Sequence, residues 1–304
     1  MGICKKMSCF SKILKRFYYL IPFKNILRRI KHNTMLFFWQ QKYPFLKTTK
    51  IVHPPQGLGD ILYVLLCLEA KGKEKYTFIL RKKHFKDICL LFPDIVENVI
   101  VSDKFPYCEK FLYQHKDIYK EQEANCFLEL FRNAISADIK HHHDFKFDEK
   151  YKDKFIKEGF IIGKTVLICP ECVSCPNEVS EQYWIKYADM LTVAGFLPVF
   201  NSEKKYGNYK NIFLNIRETV NFAELAGNII GYRSGLCDVL CYFTNAAGIY
   251  FYPDKLQNEA KKYTKDFKIA PAQKYMEFCS LKKINPDKYI KEFIFEENKF
   301  YFFD

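Results

Sequence analysis

The sequence predicts an α/β fold with two Rossmann-like domains facing a cleft, preceded by a basic amphipathic helical N-terminal segment. Two series of alternating strand-like and helix-like segments, over 50–101 and 165–252, predict the domains, because βαβ order is typical of parallel sheets. The third observation is charge. The first 59 residues hold twelve Lys and Arg but no Asp or Glu, in a 304-residue chain of formal net charge +13.

The N-terminal segment is amphipathic. Apolar residues recur at helical spacing over 10–21 and, after Pro22, over 23–30, with basic residues between them. The longest apolar run, 17–23, is far shorter than the roughly 20 residues that span a bilayer. We therefore expect the segment to lie on an anionic membrane surface. The expected contact residues are Lys12, Lys15, Arg16, Phe17, Arg28 and Arg29.

Two alternatives remain open for this segment. Its apolar face would also suit packing on the protein's own body, and its charge would suit nucleic acid, although phosphate binding leaves the apolar face unexplained. No secretory signal is evident, and Lys6 stands where the myristoylation pattern needs Ser or Thr. We therefore expect a cytoplasmic protein on the inner face of the membrane, with no disulfides among its twelve cysteines.

The first domain is predicted over 47–160, after a docking segment at 1–46. Asp60 stands at a helix N-cap position, and Gly57 and Gly59 permit the tight path before it. The charged stretch 102–160 is expected to be mostly helical. The predicted elements are a strand at 50–53, a helix with its apolar stretch at 61–68, a strand at 76–80, a helix at 82–91 and a strand at 96–101.

The second domain is predicted over 161–304. Its predicted strands are 165–169, 196–200, 228–231 and 248–252, and its predicted helices are 180–194, 221–226 and 234–243. Open α/β sheets bind ligands beyond the carboxyl ends of their strands. We therefore expect the site on four loops, at 54–60, 170–180, 201–206 and 232–238.

Three motifs resemble glycosyltransferases of the two-domain GT-B type, in particular the heptosyltransferase-like family 9. Residues 57–62, GLGDIL, are similar to the loop and helix after the family's first strand. Residues 230–238, IGYRSGLCD, resemble a turn and helix of its second domain, and 170–184 resemble the start of that domain. The heptosyltransferase stretch Thr-Asp-x-x-x-x-His is replaced here by Arg-Ser-Gly-Leu-Cys-Asp-Val-Leu.

The resemblance implies a transferase that needs a nucleotide-sugar donor but no metal or cofactor, of the kind used in lipopolysaccharide or capsule biosynthesis. Asp60 matches the family's catalytic carboxylate and would take the proton of the acceptor hydroxyl. The alternative role of Asp60 is a helix cap. Gln56, Gly57 and Gly59 would form the acceptor loop.

The donor's diphosphate is expected at the N-terminus of the predicted helix 234–243, where free N–H groups and the helix dipole attract anions. Arg233 would neutralise this diphosphate, while Ser234, Gly235 and Leu236 would donate hydrogen bonds. The alternatives are an N-cap role for Ser234 and a surface position for Arg233. Asp238 would either hold Arg233 in place or touch the donor sugar. Further candidate donor contacts are Glu171, Ser174, Asn201 and Glu203.

No metal site is predicted. Cys169, Cys172 and Cys175 lack a nearby fourth ligand, and the histidines at 141–143 suit a solvated loop. The sequence predicts a peripheral membrane glycosyltransferase that acts on a lipid-linked or cell-surface glycan. The alternatives are a nucleic-acid-binding protein with a basic arm and a catalytically inactive scaffold of the same fold.

Overall fold

The computed structural model describes residues 24–54, 57–72, 74–105, 147–172, 179–232, 234–244, 246–252 and 278–280. It is an α/β structure with two parallel sheets. Several predictions fall outside the described residues. They concern Gln56, Ser174, Cys175, Arg233, most of the stretch 102–160, and the first helix of the N-terminal segment with Lys12, Lys15, Arg16 and Phe17.

The first sheet has three described strands, which are all parallel and lie in the order of the chain. They are β1 (Lys50–Val52), β2 (Tyr76–Leu80) and β3 (Val96–Val101). Helix α2 (Leu58–Lys71) connects β1 to β2, and its residues 61–68 are all buried. The predicted helix 82–91 is shorter in the structure, with a 3-10 turn (Lys83–Phe85) before helix α3 (Lys86–Cys89). Pro93 follows closely and disfavours a longer helix.

The second sheet has the strand order of a Rossmann fold. Its described strands are β4 (Thr165–Cys169), β5 (Leu197–Asn201), β6 (Lys210–Ile212), β7 (Asn228–Tyr232), β8 (Ala247–Tyr252) and β9 (Phe278–Ser280). They lie in the order β6-β5-β4-β7-β8-β9, and every neighbouring pair is parallel. The direction of winding reverses between β4 and β7, and ligands of such sheets bind at this switch point.

Local signals in the sequence set the bounds of the helices beside this sheet. Ser180 accepts a hydrogen bond from the N–H of Tyr183 and caps helix α5. Asn215 and Glu218 form a capping box, so helix α6 begins at Ile216 rather than at the predicted Asn221. The helices are α4 (Lys150–Lys157), α5 (Glu181–Val193), α6 (Ile216–Ala226) and α7 (Gly235–Phe243).

The described part of the N-terminal segment consists of helix α1 (Lys24–Lys42) and most of a 3-10 turn (Pro44–Lys47). The last turns of α1 pack on the first sheet, because Leu36 is 7% exposed and belongs to a cluster with Ile51 and Ile79. The ring of Trp39 lies 4.9 Å from that of Phe105. Packing on the protein's own body, the alternative left open above, is therefore confirmed for these turns. Among the described residues no helix is both long and apolar enough to cross a membrane.

A single cluster of buried side chains contains strand residues from both sheets. Two ring contacts connect the parts of the chain that form them. Tyr63 of α2 meets Tyr242 of α7 edge to face, with ring centroids 6.2 Å apart, and Phe92 meets Phe243 at 5.5 Å. The predicted cleft between two domains stays a prediction.

Candidate functional site

Helix α2 begins at the glycine loop that follows β1. Its N-cap is Gly57, so the predicted N-cap position of Asp60 is wrong. Asp60 is half-buried in the first turn, where the positive end of the helix dipole favours a carboxylate. Its side chain folds back over Gly57, and a Cβ at Gly57 would collide with Oδ2 of Asp60. Glycine at this position therefore lets the carboxylate lie against the loop backbone.

The start of α7 lies directly on the start of α2. A Cβ added to Gly235 would lie 2.5 Å from the backbone N of Gly59 and 2.9 Å from Cβ of Leu58. Only a residue without a Cβ permits so close an approach. The contact brings the predicted acceptor loop, with Gly59 and Asp60, against the predicted donor turn at Ser234 and Gly235.

Asp238 lies inside this contact. Its side chain is only 4% exposed, and its Oδ1 accepts a hydrogen bond from the hydroxyl of Tyr63 at 3.2 Å. Its Oδ2 lies 2.5 Å from the position that a Cβ on Gly59 would take. The carboxylate of the donor turn therefore faces α2. Arg233 lies outside the described residues, so its contacts with Asp238 and with the donor stay predictions.

The donor turn itself follows β7, at the switch point of the second sheet. Ser234 is the N-cap of α7, with an extended backbone, and its N–H donates to Sγ of Cys237 at 3.4 Å. Gly235 and Leu236 form the first turn of the helix. The N–H groups of a first helical turn have no acceptor within the helix, which makes the turn chemically suited to an anion.

Glu171 follows β4, on the other side of the switch point. Its Oε1 accepts a hydrogen bond from the hydroxyl of Ser202 at 2.9 Å, and that hydroxyl in turn accepts one from the N–H of Lys204 at 2.8 Å. Ser202 is buried, while Glu171 and Glu203 are exposed. The structure thus brings Glu171 together with the loop after β5. Glu203 lies in that loop with its side chain exposed, and its contact with the donor stays a prediction.

Asn201 is half-buried, and its side chain makes hydrogen bonds within the protein. Its Oδ1 accepts a hydrogen bond from the N–H of Leu214 at 3.0 Å, and its Nδ2 donates to Oγ1 of Thr219 at 3.3 Å. These bonds tie the end of β5 to α6. A contact between Asn201 and a donor nucleotide stays a prediction, and the observed role of the amide is structural.

Two further side chains near the strand ends have shifted pKa values. Burial, and then the positive charge of Arg81, lower the pKa of His53 to about 4, so the imidazole after β1 is neutral at physiological pH. Burial, and then the negative charges of Glu171 and Glu181, raise the pKa of Tyr206 to about 12. The ring of Tyr206 stacks on Phe200 with centroids 4.5 Å apart.

The described cysteines do not resemble metal ligands. Burial raises the pKa of the Cys169 thiol to about 12, which opposes the thiolate form that binds metals. Among the described residues, no group of three or more His, Cys, Asp or Glu is placed to hold a metal ion. Cys175 and the histidines at 141–143 lie outside those residues, and independence from metal stays a prediction.

No protein-family model matches the sequence, and no curated protein matches it. Two solved structures share its architecture. One is a glycosyl transferase family 9 protein from Veillonella parvula, at 12% identity and a TM-score of 0.53, with 80% of this chain and 91% of that chain covered. The other is the E. coli ADP-heptose lps heptosyltransferase II, at 12% identity and a TM-score of 0.54, with 82% of this chain and 99% of that chain covered. The chain has a heptosyltransferase-like fold.

This fold confirms the resemblance to family 9 that the sequence predicted. Three residues near the candidate site were not among the predicted contacts. Tyr63 lies within an apolar helix and Ser202 within a short loop, and neither has a local pattern that marks it. His53 did carry a signal, since it is a titratable residue at the carboxyl end of the first strand.

Proposed function

We propose that the protein is a glycosyltransferase that moves a sugar from a nucleotide-sugar donor to a lipid-linked or cell-surface glycan at the cytoplasmic face of a membrane. One observation carries the proposal. The starts of α2 and α7 are in direct contact at Gly59 and Gly235, so Asp60 lies close to an anion-binding turn at the switch point of a Rossmann sheet. The two solved structures described above are both glycosyltransferases, which supports the same assignment.

The donor's diphosphate is proposed to bind at the first turn of α7. Ser234 and the N–H groups of Gly235 and Leu236 would donate hydrogen bonds to it, and Arg233 would add a positive charge. Glu171, after β4, lies across the switch point from this turn, where a ribose or sugar hydroxyl would donate to its carboxylate. No cofactor or metal is needed in this scheme, because the helix terminus and Arg233 stabilise the leaving charge.

Asp60 is the proposed general base. It would accept the proton of the acceptor hydroxyl as that oxygen forms a bond to the anomeric carbon of the donor sugar. The bond from the anomeric carbon to the diphosphate breaks in the same step, and the diphosphate leaves with the electron pair. Gln56, Gly57 and Gly59 would form the backbone of the acceptor loop.

The N-terminal segment is the proposed membrane contact. On α1, Ile30 and Phe37 are 48% and 55% exposed, and their spacing of seven places them on the same face of the helix. Arg28 and Arg29 belong to the same helix, and anionic lipid favours basic residues by about 1 kcal/mol each. Because Leu36 is buried on the first sheet, the proposed lipid contact uses the exposed face of α1 with Ile30 and Phe37 and not the face of Leu36.

A screen of ADP-, UDP- and GDP-sugars tests the proposal, first by thermal shift and then by donor hydrolysis. We expect Asp60→Asn to abolish turnover while the nucleotide still binds, because the amide keeps the shape of the side chain but accepts no proton. Asp94→Asn, in an exposed turn after α3, is the matched control and should keep full activity. An active Asp60→Asn enzyme would contradict the assignment of the base.

A further inference from the structure

The side chain of Asp238 belongs to the second sheet's helix α7, yet its described contacts are with the first sheet's helix α2. Its carboxylate lies on Gly59 and accepts from the hydroxyl of Tyr63, one turn later. The ring of Tyr63 also meets Tyr242, one turn after Asp238 on α7. Gly59 and Tyr63 on α2 therefore face Asp238 and Tyr242 on α7, and the residues of each pair are one helical turn apart.

A carboxylate that is 4% exposed costs free energy unless hydrogen-bond donors and local dipoles compensate for the lost water. Among the described residues, α2 supplies one compensation of each kind. The hydroxyl of Tyr63 donates to Oδ1, and Oδ2 lies against the first turn of α2, the positive end of its dipole. The compensation seen among the described residues is therefore lost when α2 moves relative to α7.

We infer that Asp238 is a positioning residue, which holds the start of α2 so that Asp60 faces the donor turn. This inference rests on the proposed function. Asp60 is the next residue after Gly59, so a shift of the α2 backbone under the Asp238 carboxylate moves the base with it. Asp238 acts through α2 and does not touch the donor.

The contact leaves little freedom for such a shift. Gly59 has no Cβ, so the carboxylate of Asp238 lies against its backbone, and Gly235 likewise lies against the backbone N of Gly59. Misplacing a catalytic group by about 1 Å can lower turnover about 100-fold. A residue that fixes this distance is expected to change the rate of the reaction without changing the affinity for the donor.

The test compares Asp238→Ala, Tyr63→Phe and the double variant in the whole protein. Binding is measured with ADP, UDP and GDP, and turnover with the sugar nucleotides that the wild-type protein hydrolyses. We expect Asp238→Ala to lower kcat about 10- to 100-fold and Tyr63→Phe to lower it less, with the Kd of the nucleotide changed less than about twofold. The double variant should be no slower than Asp238→Ala, because both changes break one interaction.

Two further variants separate positioning from folding. Asp238→Asn keeps an oxygen that accepts from Tyr63, so it should recover most of the kcat lost in Asp238→Ala. Tyr151→Phe removes the hydroxyl of another buried tyrosine, on α4, and should leave kcat unchanged. Thermal melting shows that each variant is folded, and Tyr63→Phe, the least disruptive change, decides the outcome if Asp238→Ala does not fold.

The outcomes are distinct. If Asp238→Ala weakens nucleotide binding while Tyr63→Phe has normal kcat, Asp238 contacts the donor and the inference is overturned. Normal kcat in both variants overturns it as well. If the wild-type protein neither binds a nucleotide nor hydrolyses any sugar nucleotide, the proposed function itself fails, and the inference falls with it.

Discussion

Replacing Gly235 with alanine would force apart the starts of α2 and α7. The new methyl carbon would lie 2.5 Å from the backbone N of Gly59, whereas ordinary contacts begin near 3.4 Å, so the helices have to separate by about 1 Å. Overpacking of this kind costs about 1–3 kcal/mol, and the better helix propensity of alanine offsets at most about 1 kcal/mol. We expect a net loss of about 1–2 kcal/mol, or about 2–8 °C in Tm.

Turnover should fall more than stability suggests, by about 100-fold, because the separation moves Asp60 away from the donor turn. Urea unfolding measures the stability, and hydrolysis of the donor measures the rate. The control is Gly159→Ala, at φ 77° with nothing within 4 Å of the new methyl. It should cost about 1 kcal/mol of backbone strain and keep full turnover. Unchanged stability and turnover in Gly235→Ala would refute a tight contact.

Two other predictions concern pH and the N-terminal segment. Because the pKa of His53 falls from 6.5 to about 4 on folding, its contribution to stability is complete above pH 6.5 and is lost as the pH falls toward 4, by about 1–3 kcal/mol. Urea unfolding at pH 7 and 4.5 should therefore show that His53→Gln loses less stability between these pH values than the wild-type protein does. Equal losses in the two proteins would contradict the lowered pKa of His53. Deleting residues 1–23 removes five Lys and Arg and should weaken binding to anionic vesicles at unchanged Tm. Deleting residues 1–46 should also lower Tm, because Leu36 and Leu46 are buried. Full vesicle binding after the shorter deletion would exclude residues 1–23 from the lipid contact.

The sequence was most informative about the sheets. Strands β2, β3 and β4 have the predicted bounds, because each is a β-prone run, and two of them are buried along their whole length. Strand β6 was missed because it is only three residues long and partly exposed. Strand β9 was missed because it lies beyond Pro253, in a region of the sequence without clear periodicity.

The candidate site was predictable in its parts but not in its contacts. The glycine loop before Asp60 and the turn at Ser234 each have a local pattern that indicates a loop after a strand. The hydrogen bond from Tyr63 to Asp238 joins residues 175 positions apart, and no local pattern encodes such a pair. The only signal in the sequence for a close approach of two backbones was the presence of glycine at 59 and 235. Glycine is equally common in tight turns, so it does not by itself indicate such an approach.

The continuous core has a consequence for how this protein can be divided. Buried side chains from both sheets form one cluster, and Phe92 of the first half packs its ring on Phe243 of the second. Neither half is therefore a transferable module, since cutting between them would expose apolar rings on both pieces. Exchanging the second half with that of another protein of this fold would have to carry α2 along with α7. If the proposed function holds, changes in donor preference are therefore expected to come from single loops rather than from whole-domain exchange.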